Sequence, residues 1–364
     1  MRVLSIIETL MHGGAETVLV DLVTRLTEHE HQLVHFSSSH HATVHPWIAQ
    51  ALREAGVPSI DAPRESWQTD FHPDLVVYHW WGQDPLRAWR DRVHLTPSRP
   101  RFIAVLHRSG VPAPDGFDAY VLVSPTQRSQ VAAIDSARVH VIPNGVDLSR
   151  FPVSGPPTRP SQFTVGRISG LRSGKIPESW VQTIAGFGLN NARFVIGGDG
   201  DLRSALQRDA DRRGVADHVE FTGYVSRNDV PRLLATFDVF CYVTSTAVEC
   251  HPLALLEACA AGLPIVAQPR GGILDIVTNG ANGLLGESNA EIGEHLRRLQ
   301  HDRPLRDRLP EGARAVAQRF AIERQMERYR DVISLSGRPL AASRAPESPA
   351  APSNSGESRP TRTS

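Results

Sequence analysis

Lysine is almost absent from this chain of 364 residues. Lysine and arginine together number 39, yet Lys175 is the only lysine and every other basic residue is arginine. The compact ammonium of lysine and the planar guanidinium of arginine are not interchangeable. The stretch around the single lysine, FTVGRISGLRSGKIPES from Phe163 to Ser179, is therefore a first candidate for a place where the chain needs particular chemistry.

Other features are also scarce, and each scarcity excludes a class of protein. The three cysteines, Cys241, Cys250 and Cys259, are spaced like neither a disulfide framework nor a zinc site. The formal net charge is zero, which gives no support for a nucleic acid or an anionic membrane as the main partner. The sequence has no run of about 18 apolar residues, and the start MRVLSIIETL lacks the apolar stretch of a signal peptide. We therefore expect a cytoplasmic protein without a transmembrane segment.

Short apolar runs alternate with helical patterns along most of the chain. A run such as Leu75 to Tyr78 is apolar throughout, which is typical of strands covered on both faces in a parallel sheet. The predicted strands are RVLSII, HQLVHFSS, DLVVYHW, RFIAVLH, DAYVLVS and RVHVIP, followed by FTVGRI, ARFVIGG, HVEFTG, DVFCYV and LPIVAQ. Strand–helix alternation of this kind predicts an α/β protein with two Rossmann-like, doubly wound domains in series.

The boundaries of these domains follow from composition. The Pro-rich stretch 152–162 is typical of a connector, so we predict an N-terminal domain over 1–151 and a C-terminal domain over 163–310. Helices are expected over 311–335, and the Pro/Ser/Ala-rich residues 336–364 are expected to be disordered. Ligands of doubly wound sheets bind beyond the carboxyl ends of the strands, so two facing domains would form a site in their cleft.

The clearest chemical motif is TAVECHPLALLEACAAGLPIVA, from Thr246 to Ala267. Glu249 precedes a helix that is predicted to begin near Pro252, and Glu257 lies on that helix. The two carboxylates should lie about 10–12 Å apart at 1.5 Å per helical residue, a span like that from a sugar through a diphosphate to a ribose. The free N–H groups at the helix start would bind phosphate.

Five segments, in this order along residues 1–335, resemble GT-B glycosyltransferases of glycosyltransferase family 4. They are MHGGAETVLVDLVTRL, VIPNGVDLSRF, the pair in VGRI…K, FTGYVSRNDVPRLL, and the two-glutamate motif with GGILDIVTNGANGLL after it. The resemblance implies retaining transfer of a glycosyl unit from a nucleotide sugar, across a cleft between the two domains. It also implies that helices 311–335 pack back towards the N-terminal domain.

The resemblance assigns roles to named positions. The residues expected to take part in catalysis are Arg167 and Lys175 on the diphosphate, Glu249 on the donor sugar, and His107 facing that sugar. The residues expected to bind the nucleotide are Gly13, Gly14, Val225 beside the base, His251, Leu253 and Ala254 at the helix start, and Glu257 on the ribose. Fixed cations would replace a metal in stabilising the leaving diphosphate. No cofactor or metal is expected, and UDP-sugar is expected in preference to GDP-sugar.

Some features depart from the family pattern or admit two interpretations. Cys250-His251-Pro252 stands where relatives have small residues, and proline has no N–H, so phosphate contacts must come from Leu253, Ala254 or His251. Asp199 and Asp201 are interpreted as turn and cap residues rather than metal ligands. Trp80 and Trp81 could stack on an acceptor ring or close the core. The expected acceptor is a saccharide or small molecule, and the oligomeric state is left open.

The fold allows more than one function. The first hypothesis is a hexosyltransferase. The second is a nucleotide-sugar epimerase or a pseudo-glycosyltransferase on the same scaffold. The third is a non-catalytic subunit, which the presence of Arg167, Lys175, Glu249 and Glu257 disfavours.

Overall fold

A computed structural model describes residues 1–11, 13–37, 43–63, 69–80, 82, 100–152, 162–177, 179–187, 191–244 and 249–336. Most of the predicted connector and the predicted disordered tail lie outside the described residues, as does Trp81. The described residues form two parallel sheets, of seven and six strands. Among them, no helix is both long and apolar enough to cross a membrane.

The first sheet is built from the N-terminal half of the chain. Its strands are β1 (Arg2–Ile7), β2 (Glu30–His35), β3 (Ser59–Asp61), β4 (Leu75–Trp80), β5 (Arg101–Leu106), β6 (Ala119–Leu122) and β7 (Val139–Val141), with helices α1 (Gly14–Arg25) and α2 (Pro46–Glu54). The strands lie in the order β3-β2-β1-β4-β5-β6-β7, and neighbours run parallel. Every residue of β4 is buried, as its unbroken apolar run predicts.

The second sheet repeats this design. Its strands are β8 (Phe163–Ile168), β9 (Ala192–Gly197), β10 (Val219–Gly223), β11 (Val239–Tyr242), β12 (Ile265–Ala267) and β13 (Gly283–Leu285), in the order β10-β9-β8-β11-β12-β13. The helices are α3 (Trp180–Gly186), α4 (Arg203–Arg212), α5 (Val230–Leu234), α6 (Leu253–Ala260), α7 (Asn289–His301), α8 (Arg303–Arg319) and α9 (Ile322–Ser336). Each sheet reverses its order beside its first strand, which makes both doubly wound, as the sequence predicts.

The last helix joins the two halves. Met326, Tyr329 and Ile333 of α9 are buried in one apolar cluster with Val3 and Val121 of the first sheet. Main-chain hydrogen bonds fix the entry of this helix, because Val146 N–H donates to the Phe320 carbonyl at 2.9 Å and Ile322 N–H donates to the Val146 carbonyl at 3.0 Å. α9 thus packs against the N-terminal sheet although it follows the second sheet in the chain.

The observed elements differ from the predicted ones at several boundaries. The strands β3 and β13, of three residues each, were not predicted. The helical stretch near the C-terminus is three helices, and Asp302 separates the first two by capping α8 through its carboxylate, which accepts from the Leu305 N–H.

Gly166 in β8 provides a test of the core beside the cleft. A Cβ at this position would lie 1.9 Å from the Phe237 ring, whereas a Cβ on Gly186 of α3 would meet nothing within 4 Å. We expect Gly166→Ala to lower the free energy of unfolding by about 1–3 kcal/mol, because extra volume in a packed core forces side chains apart. Gly186→Ala is the control and should be neutral or stabilising. Equal melting temperatures for the two variants would contradict this packing.

Candidate active site

An interdomain cleft with a volume of about 560 Å³ lies at the carboxyl ends of the strands. The N-terminal half contributes Met11, Gly13, Gly14, Thr17, Thr43, His45 and Pro46. The C-terminal half contributes Ile168, Ser169, Gly170, Arg172, Lys175, Gly198, Asp199, Gly200, Asp201, Tyr224, Val225, Arg227, Val230, Tyr242, Glu249, Pro252, Leu253, Ala254 and Glu257. The site therefore takes residues from both sheets.

The N-termini of two helices meet in this cleft. α1 begins after Gly13 and α6 begins after Pro252, and within the described residues neither helix start has a side-chain capping hydrogen bond. The two starts are close together, because a Cβ on Gly14 would lie only 3.8 Å from Leu253 Cδ1. The first N–H groups of a helix have no partner within the helix and carry a partial positive charge, so this junction attracts anions.

α6 begins one residue after Pro252, the predicted helix start. Pro252 occupies the cap of α6, with φ −68° and ψ 119°, and Leu253 is the first helical residue. The missing proline N–H therefore removes no helical donor. Leu253 and Ala254 line the cleft at the first positions of α6, where the sequence predicts the phosphate contacts.

The loop after β8 carries the single lysine into the cleft. Its backbone is packed against the segment after β9, because a Cβ on Gly198 would lie 2.0 Å from the Ser169 carbonyl oxygen and a Cβ on Gly200 would lie 2.4 Å from that of Leu171. Both glycines have positive φ, 132° and 156°. Glycine is needed at these two positions for the close approach that holds the loop.

Lys175 forms an ion pair with Glu249 across the cleft. Its Nζ donates to Glu249 Oε1 at 2.8 Å, with side-chain exposures of 46% for the lysine and 5% for the glutamate. The Tyr242 hydroxyl also donates to the Glu249 carboxylate, and burial together with this carboxylate raises the pKa of Tyr242. Glu249 is thus a fixed, buried acceptor, while the ammonium remains accessible to a ligand.

Glu257 is held by arginines near the far end of the cleft. Arg150 Nη1 contacts Glu257 Oε1 at 3.2 Å, and Arg227 Nη2 contacts both carboxylate oxygens of Asp21 on α1, at 2.8 and 2.9 Å. Burial raises the pKa of Glu257, while Arg150 and Arg227 lower it. Arg150 also donates to the Arg227 carbonyl, which links the two contacts.

Glu16 is a buried carboxyl group at the N-terminus of α1. A Cβ on Gly13 would meet Glu16 Oε2 at 2.4 Å, so the carboxylate folds over the helix start. Burial raises the pKa of Glu16 to about 7, although its own N–H, Arg172 and Lys175 act in the opposite direction. The contributions of Arg172 and Lys175 indicate that the two cations from the C-terminal half face this helix start.

Eight of the predicted site residues line the cleft: Gly13, Gly14, Lys175, Val225, Glu249, Leu253, Ala254 and Glu257. Arg167, His107 and His251 are not among the cleft-lining residues that the structure describes. Arg167 is 1% exposed and donates to the Val243 carbonyl at 2.7 Å, the Lys175 carbonyl at 2.5 Å and Ser169 Oγ at 3.0 Å. The structure thus places this guanidinium beneath the loop rather than on its cleft side.

The two histidines are also placed differently from the prediction. His251 packs edge-to-face on Phe320 at 4.7 Å, and burial lowers the pKa of His251 to about 3. His107 Nε2 lies 2.8 Å from His79 Nδ1, and burial lowers the pKa of His107 to about 3, so this pair is neutral. Trp80 is 5% exposed and belongs to the N-terminal core.

Sequence reasoning missed several cleft residues. Arg172 lies three residues before Lys175, in the loop after β8 rather than in the strand that carries the predicted Arg167. Arg227 and Tyr224 lie beside the predicted Val225. His45 and Tyr224 approach from opposite halves, with ring centroids 4.9 Å apart. Only their placement in three dimensions reveals that pair.

Asp199 and Asp201, interpreted above as turn and cap residues rather than metal ligands, line the cleft. Asp199 accepts from the Gly200 N–H at 2.8 Å and from Arg203 Nη1 at 2.9 Å, as expected for a turn residue before a helix. Within the described residues, no group of three or more His, Cys, Asp or Glu side chains could hold a metal ion.

Sequence comparison finds a family match within the C-terminal domain. Residues 170–316 match the family of glycosyl transferases group 1. The chain is 32% identical over 219 residues to a GDP-mannose-dependent alpha-(1-6)-phosphatidylinositol monomannoside mannosyltransferase of Mycobacterium tuberculosis, which covers 55% of this chain and 56% of that protein. It is 28% identical over 159 residues to an alpha-D-kanosaminyltransferase of Streptomyces kanamyceticus, covering 43% and 40%. The chain thus spans little more than half the length of the first curated relatives that it matches.

Solved structures share the whole described architecture. Anabaena HepE in complex with UDP-glucose superposes with a TM-score of 0.77 at 19% identity, covering 92% of this chain and all of that one. Sucrose-phosphate synthase of Thermosynechococcus elongatus superposes with a TM-score of 0.69 at 15% identity, covering 92% and 99%. Two doubly wound domains around a cleft define the GT-B class of fold. The solved structures thus place the chain in that class of fold, and the match to glycosyl transferases group 1 lies in its C-terminal domain.

Glu16 generates a prediction about the pH dependence of stability. Its folded pKa of about 7 lies above its ordinary value of 4.5, so stability from this group is greatest below pH 4.5 and is lost as the pH rises through 7. Glu16→Gln removes that loss and should raise the melting temperature at pH 8 more than at pH 5. The free energy of unfolding at pH 8 should rise by roughly 3 kcal/mol, at 1.36 kcal/mol for each pKa unit.

The control for this prediction is Glu311→Gln, at an exposed position of α8. It should change the melting temperature little at either pH, because an exposed carboxylate keeps its hydration. A gain from Glu16→Gln that is the same at pH 5 and pH 8 would contradict the assignment of a titrating carboxyl to Glu16.

Proposed function

We propose that this protein is a retaining, metal-independent glycosyltransferase that moves a hexosyl unit from a nucleoside diphosphate sugar to a hydroxyl of a saccharide or small-molecule acceptor. The observation that carries the proposal is the meeting of the α1 and α6 N-termini beside Lys175 in an interdomain cleft. This arrangement suits a diphosphate that gains negative charge when its bond to the sugar breaks.

We match the diphosphate, the ribose and the sugar of the donor to cleft residues from the positions of the charged side chains. The diphosphate would lie on the N–H groups of Leu253 and Ala254, with the Lys175 ammonium beside it. The ribose hydroxyls would donate to Glu257, whose ionised form Arg150 favours. The sugar hydroxyls would donate to Glu249, which Tyr242 and Lys175 hold in place.

Transfer on the same face of the sugar needs no enzymic base. The bond from the anomeric carbon to the β-phosphate oxygen breaks, and the acceptor oxygen bonds to the same carbon. The acceptor proton passes to the departing phosphate oxygen. Lys175 and the two helix starts lower the energy of this step by holding charge where it develops, without rearranging during the reaction.

The donor nucleotide is proposed to be uridine diphosphate, with guanosine diphosphate as the alternative. A solved structure of the same fold contains UDP-glucose, whereas a curated relative is named for GDP-mannose. His45 and Tyr224 lie beside Val225 at the expected base position, and their rings could flank either base.

A donor panel tests the proposed function. UDP-, GDP- and TDP-sugars are incubated with and without candidate acceptor hydroxyl compounds, and free nucleoside diphosphate is measured. Release that depends on acceptor is expected, and EDTA should leave it unchanged because the charges needed are supplied by the protein. An epimerised nucleotide sugar without transfer would contradict the proposal, and so would the absence of turnover with every donor. Loss of activity in EDTA that Mg²⁺ or Mn²⁺ restores would contradict metal independence.

Replacement of Lys175 tests the electrostatic step. Lys175→Met should lower turnover by about 10²- to 10³-fold, as does the loss of one fixed donor to a developing oxyanion. Since Lys175 is the only lysine, an amine-reactive reagent should modify this side chain and the terminal amine alone. Bound nucleoside diphosphate should protect Lys175 while the terminal amine serves as internal control, as read by peptide mass spectrometry. Wild-type turnover in the variant, or equal labelling with and without nucleotide, would remove Lys175 from the mechanism.

A further inference from the structure

Arg167 was expected to be one of two cations beside the diphosphate, but it is not among the described residues that line the cleft. Its Nε, Nη1 and Nη2 atoms all donate to protein acceptors, and its guanidinium lies over the Tyr242 ring at 4.7 Å. To reach a ligand, Arg167 would have to leave the buried carbonyl of Val243 and the carbonyl of Lys175 without a donor, which is costly in a closed interior. A second cation for a diphosphate must come from elsewhere.

Arg172 and Lys175 lie on one turn of the loop that enters the cleft. The N–H groups of Lys175 and Ile176 both donate to the Arg172 carbonyl, at 3.0 and 3.3 Å. This turn places residues three apart on the same side, as in the first turn of a helix. Both residues are exposed and line the cleft, while Leu171, directly before Arg172, is buried.

Main-chain hydrogen bonds hold the turn that carries Arg172 and Lys175 in place. The Leu171 N–H donates to the Asp199 carbonyl at 2.9 Å, and the Leu171 carbonyl accepts from Leu202 at 2.9 Å, so the turn has little freedom to rotate. Arg172 and Lys175 both act electrostatically on Glu16 at the start of α1. The space between this turn and the helix start is therefore bordered by two cations, by a helix N-terminus and by the Glu16 carboxyl group.

We propose that Arg172, rather than Arg167, is the second cation that contacts the donor's diphosphate, and that Arg167 supports the loop from beneath. This inference rests on the proposed function and adds a binding residue to it. A guanidinium can hold two oxygens of one phosphate in a plane, while an ammonium acts as a point charge. Arg172 would thus orient the diphosphate, and Lys175 would stabilise the charge that develops on it.

Calorimetric titration separates the phosphate from the rest of the nucleotide. The wild-type protein and Arg172→Gln are titrated with UDP, GDP, uridine, guanosine and inorganic pyrophosphate. Arg172→Gln should bind its preferred nucleoside diphosphate and pyrophosphate about 10- to 100-fold more weakly, the range expected for loss of a hydrogen bond to a charged group. Its affinity for the nucleosides should not change, because uridine and guanosine carry no phosphate. Arg172→Lys keeps the charge without the planar fork and should have intermediate affinity.

The control is Arg212→Gln, at the end of α4, where the side chain is 70% exposed and pairs with Asp209 at 2.9 Å. This variant should bind all five compounds as the wild type does. Undiminished binding of diphosphates by Arg172→Gln would overturn the inference about Arg172 and leave the proposed function standing. Equal weakening of nucleosides and diphosphates would also overturn it. A wild-type protein that binds neither nucleoside diphosphate nor pyrophosphate would overturn both.

Discussion

The cleft depends on positive groups that lie close together and are held in place by buried carboxyl groups. Two helix starts meet at Gly14 and Leu253, and Lys175 and Arg172 extend from a neighbouring loop. Such like-signed groups repel one another, so their arrangement costs stability unless acceptors hold them in place. Glu249 and Glu16 are the acceptors that the chain provides, and both are largely buried.

Arg167 shows how a buried guanidinium makes the arrangement rigid. It joins the carbonyl of Val243, after β11, to the carbonyl of Lys175 in the loop after β8, and it packs on Tyr242. Tyr242 in turn donates to Glu249, which pairs with Lys175. The switch point of the C-terminal sheet is thus closed by one connected network. The neighbouring position in β8 needs glycine for a separate reason, because the Phe237 ring occupies the space that a Cβ on Gly166 would take.

The sequence predicts the sheets well, because an unbroken apolar run indicates a strand that is buried on both faces. Lys175, Glu249 and Glu257 could also be found, since they stand in motifs whose order and spacing are local. The orientation of Arg167 could not be predicted, because its acceptors include Val243, which is 76 positions away in the chain. The contact of Arg227 with Asp21 spans 206 positions and joins the two halves, so no local pattern indicates it. The edge strand β3 was not predicted for a simpler reason, since its three residues, Ser-Ile-Asp, include only one apolar side chain.

The Arg227–Asp21 contact gives the Glu257 end of the cleft a physical connection to the N-terminal half. Arg150 contacts Glu257 with one nitrogen and the Arg227 carbonyl with another, while Arg227 grips Asp21 on α1. A ligand hydroxyl that donates to Glu257 competes with Arg150 for the same carboxylate, and so acts on the arginine that braces the contact to α1. If a ligand at Glu257 alters the contact of Arg227 with Asp21, linkage requires that contact to alter the affinity for the ligand by the same factor.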